Sequence, residues 1–365
     1  MTVVTFIAPG LHGNRGGERV IHHYASALSR LGLTVNIMVP KGTCALPKDP
    51  SIGLIEYKPL LTNFLSHHLG YIDSLVSVVK LLPKDTDIVV ATYIPQAVLG
   101  ILLKLFYKKI EIVLYNQDFA EMFKWRPDRF LYFCVYPRFF KRIISISEFC
   151  RTQLVKYAGR DSVVINCGLE NEFHQSPIPT YQTEERSGIF WLGTNNRHKG
   201  FKTFLEAIKI VRKTYPDIRV KILGGGFRLE ESMEFVGKSG RLDSIKEIYN
   251  SSEIFVCSSL KEGFGLPGLE AMACGCPVVT TDTGGCNEYA IDQVNAFIVT
   301  PKDSQFLAAR IIEILGSPEL KSKFALAGLA TAAKFQWEIR EELFKNSVIG
   351  SPLSGSTNRP SSVID

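Results

Sequence analysis

The chain has 365 residues, of which 45% are hydrophobic and 21% are charged. Such a length and composition are typical of a folded protein of about two domains and exclude an intrinsically disordered chain. Lysine and arginine number 42 against 36 acidic residues, a net charge of +6 that suits an anionic small molecule or an acidic lipid surface and gives no indication of nucleic acid binding.

Other classes of protein are excluded by local patterns. No run reaches the ~18 apolar residues that a membrane-spanning helix needs. Met1–Ile7 lacks the basic start and cleavage site of a signal peptide. The eight cysteines are scattered without a CxxC pair, so we expect reduced cysteines in a cytoplasmic protein, with neither a disulfide framework nor a zinc site.

Short apolar runs alternate with helical periodicity along the first half of the chain, which predicts parallel α/β structure. A helix is expected over Glu18–Arg30, ended by Gly32. The predicted strands are Val3–Ala8, Val35–Val39, Asp87–Ala91, Ile110–Leu114, Ile143–Ile146 and Val163–Ile165.

A second series of the same kind follows a proline-rich and polar stretch, which we interpret as a linker over residues 171–187. Helices are expected from Phe201 and over Asp303–Leu315 and Glu319–Leu343. The predicted strands are Ile189–Leu192, Arg219–Leu223, Ile254–Cys257 and Pro277–Thr281.

The predicted architecture is therefore α/β, with two doubly wound Rossmann-like domains facing a cleft. The expected domains are residues 1–170 and 188–330, a final helix over 331–349 that crosses back to the first domain, and a disordered tail over 350–365. Because ligands bind at the carboxyl ends of parallel strands, we expect function to lie in the loops that follow the strands.

The most informative loop lies between Lys261 and Glu288 and reads KEGFGLPGLEAMACGCPVVTTDTGGCNE. Glycines at its turn let a ligand approach the backbone, and the amides at the following helix start suit a pyrophosphate. Glu270, one turn into that helix, can accept two hydrogen bonds from a vicinal diol such as a ribose. The alternative is a helix-capping turn with two solvated glutamates, Glu262 and Glu270.

Two further loops are candidates. In Phe190–Phe201, Lys199 and Arg197 lie at a helix start, where cations are unfavourable unless an anion binds there; the alternative is a solvated helix terminus. Residues Gly13–Arg19 form a glycine-rich loop that is neither a dinucleotide fingerprint nor a P-loop. Its glycines would instead let a ligand approach the backbone closely.

Together these segments resemble the GT-B glycosyltransferases of family 4, retaining enzymes that use nucleotide sugars. The resemblance spans about Val3 to Leu343 and is strongest in the E-G-F-G-x-x-x-x-E run from Glu262 to Glu270, followed by P-V-V and G-G-x-x-E. Supporting matches are Gly16-Gly17, Ser145-Ile146-Ser147-Glu148, Cys167-Gly168-Leu169, Lys199-Gly200 and Trp337.

The resemblance implies a role for each matching residue. Glu270 would hold the donor ribose, Lys199 and the amides of Phe264, Gly265 and Leu266 the diphosphate, and Glu262 the donor sugar, while Gly16 and Gly17 would line the opposite wall. The base would stack near Gly225-Gly226 and Gly237-Lys238. Neither a metal nor a cofactor is implied beyond a substrate of the UDP- or GDP-sugar type.

Two positions depart from the family pattern. Thr194 stands where the family usually has an arginine, so Arg197 is the candidate to replace it. The segment Tyr115–Asp118 lacks the histidine that many members carry there, which leaves Gln117 or Asp118 to contact the sugar or the acceptor.

The implied function is transfer of a sugar, with retention, to a hydroxyl of a glycan or a lipid-linked acceptor in cell-surface polysaccharide or glycolipid synthesis. A nucleotide-sugar epimerase and a catalytically inactive nucleotide-sugar-binding subunit are the alternatives. Aromatic and basic residues alternate in Phe123–Arg142, and the apolar Ala97–Lys109 ends in cations, which suits peripheral contact with an anionic membrane at its cytoplasmic face. The alternative is a core of aromatics with solvated cations.

Overall fold

The computed structural model describes residues 1–13, 16–45, 49–58, 69–122, 129–130, 136–174, 186–194, 196–225, 233–237 and 242–350. Most of the expected linker, Lys238 and the expected tail beyond residue 350 lie outside these ranges. The chain divides into two compact units. Unit 1 comprises Met1–Ser145, Arg151–Ile165 and the chain from Glu338 onward, and unit 2 comprises Ile146–Cys150 and Asn166–Trp337.

Unit 1 contains a seven-stranded parallel sheet with the order β3-β2-β1-β4-β5-β6-β7. The inner strands are continuous apolar runs because helices cover both faces of such a sheet. In chain order the strands are β1 (Val3–Ile7), β2 (Thr34–Pro40), β3 (Ile52–Tyr57), β4 (Ile88–Ala91), β5 (Glu111–Asn116), β6 (Arg142–Ser145) and β7 (Val163–Val164).

Helices lie in several of the connections between these strands, because parallel neighbours need crossover connections. They are α1 (Gly16–Arg30), α2 (Leu69–Leu81), α3 (Ile94–Phe106) and α4 (Glu148–Ala158). Helix α1 begins two residues before the predicted start, so that Gly16 and Gly17 form its first turn.

Unit 2 contains a six-stranded parallel sheet with the order β10-β9-β8-β11-β12-β13. Its core includes Trp191, which packs against Phe201 and Phe204 at ring-centroid distances of 5.0 and 5.6 Å. The strands are β8 (Ile189–Thr194), β9 (Val220–Gly225), β10 (Glu234–Gly237), β11 (Ile254–Cys257), β12 (Val278–Thr281) and β13 (Ala296–Val299).

Side chains cap two of the remaining helices. Asp303 and Ser317 cap the helices that begin at Ser304 and Pro318 by accepting hydrogen bonds from Phe306 N and Leu320 N. The remaining helices are α5 (Asn171–His174), α6 (Phe201–Thr214), α7 (Leu242–Asn250), α8 (Leu266–Ala273), α9 (Ser304–Gly316), α10 (Pro318–Ala332) and α11 (Trp337–Ile349).

The single helix predicted over Glu319–Leu343 is wrong, because α10 and α11 are separated at residues 333–336. Tight turns bond Lys334 N to Thr331 O and Phe335 N to Ala332 O, and the Phe335 carbonyl then accepts a hydrogen bond from Leu169 N at 2.8 Å. Phe335 and Trp337 are both buried. Tertiary packing of these two aromatics therefore outweighs the helical periodicity of the segment.

Helix α11 packs into unit 1 through Phe344. Its ring stacks on Tyr24 at 3.9 Å between centroids and meets Tyr115 edge-on at 5.2 Å. All three side chains are fully buried, so the last described helix completes the core of the first sheet. Among the described residues, no helix is both long and apolar enough to cross a bilayer.

The prediction of two parallel α/β sheets is confirmed. Three strands, β3, β10 and β13, and three helices, α2, α5 and α7, were not predicted, and α5 lies at the start of the stretch expected to be a linker.

Candidate functional site

The chain order of the strands in unit 2 creates a switch point at β8. Strand β8 pairs with β9 on one side and with β11 on the other, so the connections leave in opposite directions. In doubly wound sheets such a point leaves a crevice at the carboxyl ends of the strands. The loops that follow β8 and β11 both begin there.

Residues 196–200, in the loop after β8, form a turn that one of their own side chains caps. Asn196 Oδ1 accepts a hydrogen bond from His198 N at 3.2 Å and caps the 3-10 turn Arg197–Lys199. Gly200 then adopts a left-handed conformation with φ 65°. A Cβ at Gly200 would lie only 1.8 Å from the carbonyl oxygen of Ser258, so a larger residue would push the two loops apart.

The two loops meet in an ion pair. Lys199 Nζ lies 2.7 Å from Glu262 Oε1, with the side chains 32% and 19% exposed. Ser259 Oγ donates a hydrogen bond to the same oxygen at 2.6 Å. Burial by itself would lower the pKa of Lys199, but the charge and hydrogen bond of Glu262 outweigh it and raise that pKa. The lysine is therefore held as a cation.

A glycine turn joins this ion pair to the start of α8. Gly265 is the residue before the helix and has φ 89°, a conformation that a glycine adopts without strain. Within the described residues, the amides of Phe264, Gly265 and Leu266 have no hydrogen-bond acceptor. The Gly265 carbonyl is held by the buried Tyr289 hydroxyl at 2.6 Å, so these donors form a fixed helix start that suits an anion.

Glu270 lies one turn further along α8 and is only 2% exposed. The Tyr249 hydroxyl of α7 donates a hydrogen bond to its Oε2 at 3.2 Å. A buried carboxylate needs such donors to offset desolvation. The glutamate is thus a fixed acceptor of hydrogen bonds rather than a solvated surface charge.

The glutamate of the G-G-x-x-E run, Glu288, makes structural contacts. Glu288 accepts hydrogen bonds from Glu148 N at 2.5 Å and from Asn166 Nδ2 at 3.0 Å. Burial raises its pKa, and these two hydrogen bonds partly oppose that effect. Glu288 therefore fastens residues 146–150 and Asn166 within unit 2.

The remaining predicted donor-side residues lie apart from the ion pair. Thr194, the last residue of β8, and Arg197 are both exposed, and no contact of Arg197 with Glu262 is present in the described structure. Gly237 ends β10 at the sheet edge. Lys238 and Gly226 lie outside the described residues.

In unit 1, Gly17 lies against two polar side chains. A Cβ there would fall 2.3 Å from the Tyr93 hydroxyl and 2.6 Å from Gln117 Oε1, so the protein itself uses the space that this glycine leaves. Gln117 and Asp118 follow β5 and are 7% and 2% exposed. Gly16, at the start of α1, is half-buried.

Sequence reasoning missed Ser259 and Tyr249. The polar pair Ser258-Ser259 directly follows the buried strand β11, and this was the available signal. Tyr249 gave none, because its contact with Glu270 joins different helices. Among the described residues, no group of three or more histidine, cysteine or acidic side chains could hold a metal ion.

Comparison with protein families matches both halves of the chain. Residues 14–173 match Glycosyltransferase Family 4, and residues 180–329 match Glycosyl transferases group 1. Together the two matches cover more than four fifths of the chain.

Curated relatives share less than a third of their residues with this chain. An uncharacterized glycosyltransferase of Methanocaldococcus jannaschii is 28% identical over 207 residues, 54% of this chain and 56% of the relative. The O-antigen chain mannosyltransferase B of Escherichia coli is 26% identical over 54% of this chain and 58% of the relative. The chain thus spans about half the length of the curated relatives it matches.

Solved structures resemble the chain over nearly its whole length. Sucrose-phosphate synthase from Thermosynechococcus elongatus has a TM-score of 0.80 at 17% identity and covers 94% of this chain and 97% of its own. Anabaena HepE in complex with UDP and glucose has a TM-score of 0.76 at 17% identity, and the match covers 96% of this chain and 100% of the HepE chain. The chain belongs to glycosyltransferase family 4, the glycosyl transferases group 1, and has the GT-B fold.

Proposed function

We propose that the protein is a retaining glycosyltransferase that moves a sugar from a UDP- or GDP-sugar to a hydroxyl of a glycan or lipid-linked acceptor. The observation that carries this proposal is the Lys199–Glu262 pair, whose 2.7 Å contact lies next in the chain to the unbonded amides of residues 264–266. A cation and a helix start of this kind suit a diphosphate.

Each donor-side residue then has a role. Lys199 and the amides of Phe264, Gly265 and Leu266 bind the diphosphate, and Glu270 binds the ribose hydroxyls. When phosphate oxygens bind Lys199, Ser259 still holds Glu262, which contacts the sugar. Arg197 is a second, exposed cation at the same loop.

The base and the acceptor have more distant candidates. The end of β10, at Gly237 and Lys238, is the proposed base-side element. Gly16, Gly17, Gln117 and Asp118 in unit 1 are the proposed sugar- and acceptor-side residues, and Thr194 stands beside Arg197 on the donor side.

The proposed transfer proceeds with retention, as the resemblance to the family implies. The bond between the sugar C1 and the phosphate oxygen breaks, and its electron pair leaves with the diphosphate, whose charge Lys199 and the amides stabilise. The acceptor hydroxyl oxygen forms the new bond to C1 from the same face, and its proton passes to the departing phosphate oxygen. We assign no covalent nucleophile, and the cation and backbone dipoles provide charge stabilisation without a metal.

The comparisons support this substrate class. HepE of Anabaena was solved with UDP and glucose and also with UDP-glucose. Relatives include an O-antigen chain mannosyltransferase and a phosphatidyl-myo-inositol mannosyltransferase of Propionibacterium freudenreichii, which is 29% identical over 56% of each chain.

The test is a donor screen in two steps. Thermal shift against UDP, GDP and their sugars identifies the base, because a ligand that binds only the folded state raises the melting temperature. Release of nucleoside diphosphate is then measured with and without alkyl glycoside acceptors, with and without EDTA. Release that rises with acceptor and survives EDTA is expected.

Other outcomes of this screen would contradict the proposal. Conversion of the donor without acceptor and without diphosphate release would identify an epimerase. A thermal shift with no turnover would identify a binding subunit. Loss of turnover in EDTA that Mg²⁺ restores would contradict the metal-independent chemistry.

We also propose peripheral contact with an anionic membrane through an amino-edge patch in unit 1. Segments that precede the paired strands β5 and β6 lie at the amino-terminal edge of the sheet. Three apolar side chains, Leu105, Phe106 and Phe139, are 71%, 60% and 61% exposed there. The patch is completed by five exposed cations: Lys104, Lys108, Lys109, Arg138 and Lys141. The other aromatic positions, 123–128 and 131–135, lie outside the described residues.

Co-sedimentation with phosphatidylglycerol vesicles tests this contact. Each cation near an anionic surface contributes about 1 kcal/mol, so the triple reversal Lys108→Glu, Lys109→Glu, Lys141→Glu should abolish binding. The matched control reverses Lys41, Lys213 and Lys302, which are exposed elsewhere. Equal binding to phosphatidylcholine vesicles, or loss in the control, would overturn the assignment.

A further inference from the structure

A histidine and a glutamate form a pair at the switch point of the unit 1 sheet. Strand β1 pairs with β2 on one side and with β4 on the other, so the loop after β1 occupies the same topological place as the loop after β8 in unit 2. His12 lies in that loop, and Glu18 lies in the first turn of α1. Glu18 falls within the candidate loop Gly13–Arg19, but the sequence assigned no role to either residue.

Glu18 holds both the backbone and the ring of His12. Its Oε2 accepts a hydrogen bond from His12 N at 2.7 Å, and its Oε1 lies 3.2 Å from His12 Nδ1. The carboxylate is 1% exposed, whereas the His12 side chain is 42% exposed. A buried carboxylate is thus positioned to orient an imidazole that reaches solvent.

Residues 10–12 of this loop are held by their neighbours. Leu11 N donates to Thr43 O at 2.8 Å, and Ala45 N donates to Leu11 O at 2.8 Å, which ties the loop after β1 to the loop after β2. A Cβ at Gly10 would lie 2.6 Å from the imidazole Cε1 of His12. The ring therefore packs against the backbone of Gly10, and a side chain at position 10 would have to displace it.

The chemistry of this pair is specific. When Nδ1 donates its proton to a carboxylate, the neutral imidazole carries an unprotonated Nε2 that accepts hydrogen bonds. In the described residues, no group bonds Nε2 of His12. A hydroxyl is the natural donor for such an atom, and hydroxyls are what a glycan acceptor presents.

We propose that His12, positioned by Glu18, binds a hydroxyl of the acceptor through Nε2. This role rests on the proposed function. His12 would provide unit 1 with the imidazole that residues 115–118 lack. Glu18 is the positioning residue, and His12 is the residue that contacts substrate.

The first test separates acceptor use from donor chemistry. We expect His12→Gln to keep the slow hydrolysis of the preferred UDP- or GDP-sugar within about twofold, and to lower the alkyl-glycoside-stimulated release of diphosphate at least tenfold. Glu18→Gln should act in the same direction, and the double variant should lose no more than His12→Gln alone. His23→Gln is the matched control, since His23 is also paired with a glutamate, Glu341, at 2.7 Å.

The second test needs no turnover. Diethyl pyrocarbonate acylates unprotonated imidazole nitrogens, so His12 should be labelled faster than His23, whose Nε2 is bonded to Glu341. An alkyl glycoside at saturation should slow labelling of His12 alone.

Two results would overturn the inference. One is full acceptor stimulation in His12→Gln, and the other is labelling of His12 no faster than that of His23. Failure of the proposed function looks different, because the wild-type protein itself would then show no release of diphosphate that an acceptor stimulates.

Discussion

The two switch points of this molecule occupy equivalent places in their sheets and carry opposite chemistry. The unit 2 loops present a cation, Lys199, beside unbonded helix-start amides, and Glu262 balances the charge. The loop after β1 in unit 1 presents an imidazole, His12, whose partner Glu18 is buried. The first combination suits an anion and the second suits hydroxyls, so one architecture supports two kinds of recognition through loop residues alone.

Removing the charge of Lys199 should give the largest loss of activity. Lys199→Ala is expected to lower diphosphate release by about 100-fold or more, because a group that stabilises developing charge has effects of that size. Steady-state kinetics with the preferred donor measures it. Lys202→Ala is the matched control, since Lys202 is 92% exposed on the next helix and is expected to leave turnover unchanged.

Rates within threefold of wild type in Lys199→Ala would contradict the assignment of unit 2 as the charged site. Equal losses of turnover in Lys199→Ala and Lys202→Ala would likewise contradict it. Turnover would then depend on the positive charge around the start of α6 rather than on the Lys199–Glu262 ion pair.

Displacing Lys199 without removing its charge should lower turnover less than Lys199→Ala does. Gly200→Ala keeps Lys199 but places a methyl group 1.8 Å from Ser258 O at φ 65°. Backbone strain of this kind costs about 1–3 kcal/mol, so we expect a lower melting temperature and about a tenfold loss of turnover. Circular dichroism melts and the diphosphate assay measure the two effects. Gly159→Ala is the control, because Gly159 has a similar φ of 62° with no atom within 4 Å of the added Cβ.

If Gly200→Ala and Gly159→Ala lose the same stability and neither loses activity, the close approach of the two loops is not what positions Lys199. Strain alone would then account for both variants.

The two units also differ in how much of their structure the sequence predicts. Buried strands such as β1, β8 and β11 were predicted because their apolar runs are continuous, and Lys199 and Glu262 were found because they follow those strands. Strand β3 was missed because most of its residues are partly or fully exposed at the sheet edge, so its pattern is weak. The pairs His12–Glu18 and Tyr249–Glu270 depend on contacts between different elements, which periodicity does not encode.

The buried acceptor in unit 2 should give a moderate effect on donor affinity. Glu270→Gln removes one charged acceptor, and hydrogen bonds to charged groups contribute about 1.5–3 kcal/mol, so donor affinity should fall at least tenfold. Tyr249→Phe leaves Glu270 in place and removes only its 3.2 Å donor, so a loss of a few fold is expected. Calorimetric titration with UDP or GDP measures both. A larger loss in Tyr249→Phe than in Glu270→Gln would contradict the ribose role of Glu270.

The smallest expected effect is on the pH dependence of stability and concerns Glu288, which accepts hydrogen bonds from Glu148 N and Asn166 Nδ2. Burial raises its pKa, so the folded state binds its proton more tightly than the unfolded state does. Its favourable contribution to the free energy of unfolding is present at low pH and is lost as the pH rises through the folded-state pKa. Between pH ~7 and pH ~4, wild type should therefore gain stability relative to Glu288→Gln, by roughly 1 kcal/mol or less.

Glu319→Gln is the control of opposite sign. Its own backbone amide and the Ser317 hydroxyl lower the pKa of Glu319, so wild type should lose stability relative to this variant as the pH falls. Melting curves of the three proteins across this pH range provide the measurement. A stability advantage of wild type over Glu288→Gln that stays constant or shrinks on acidification would show that the carboxylate of the G-G-x-x-E run is stabilised where it lies. A ligand-side role for Glu288, like that of Glu262, would then have to be tested by activity.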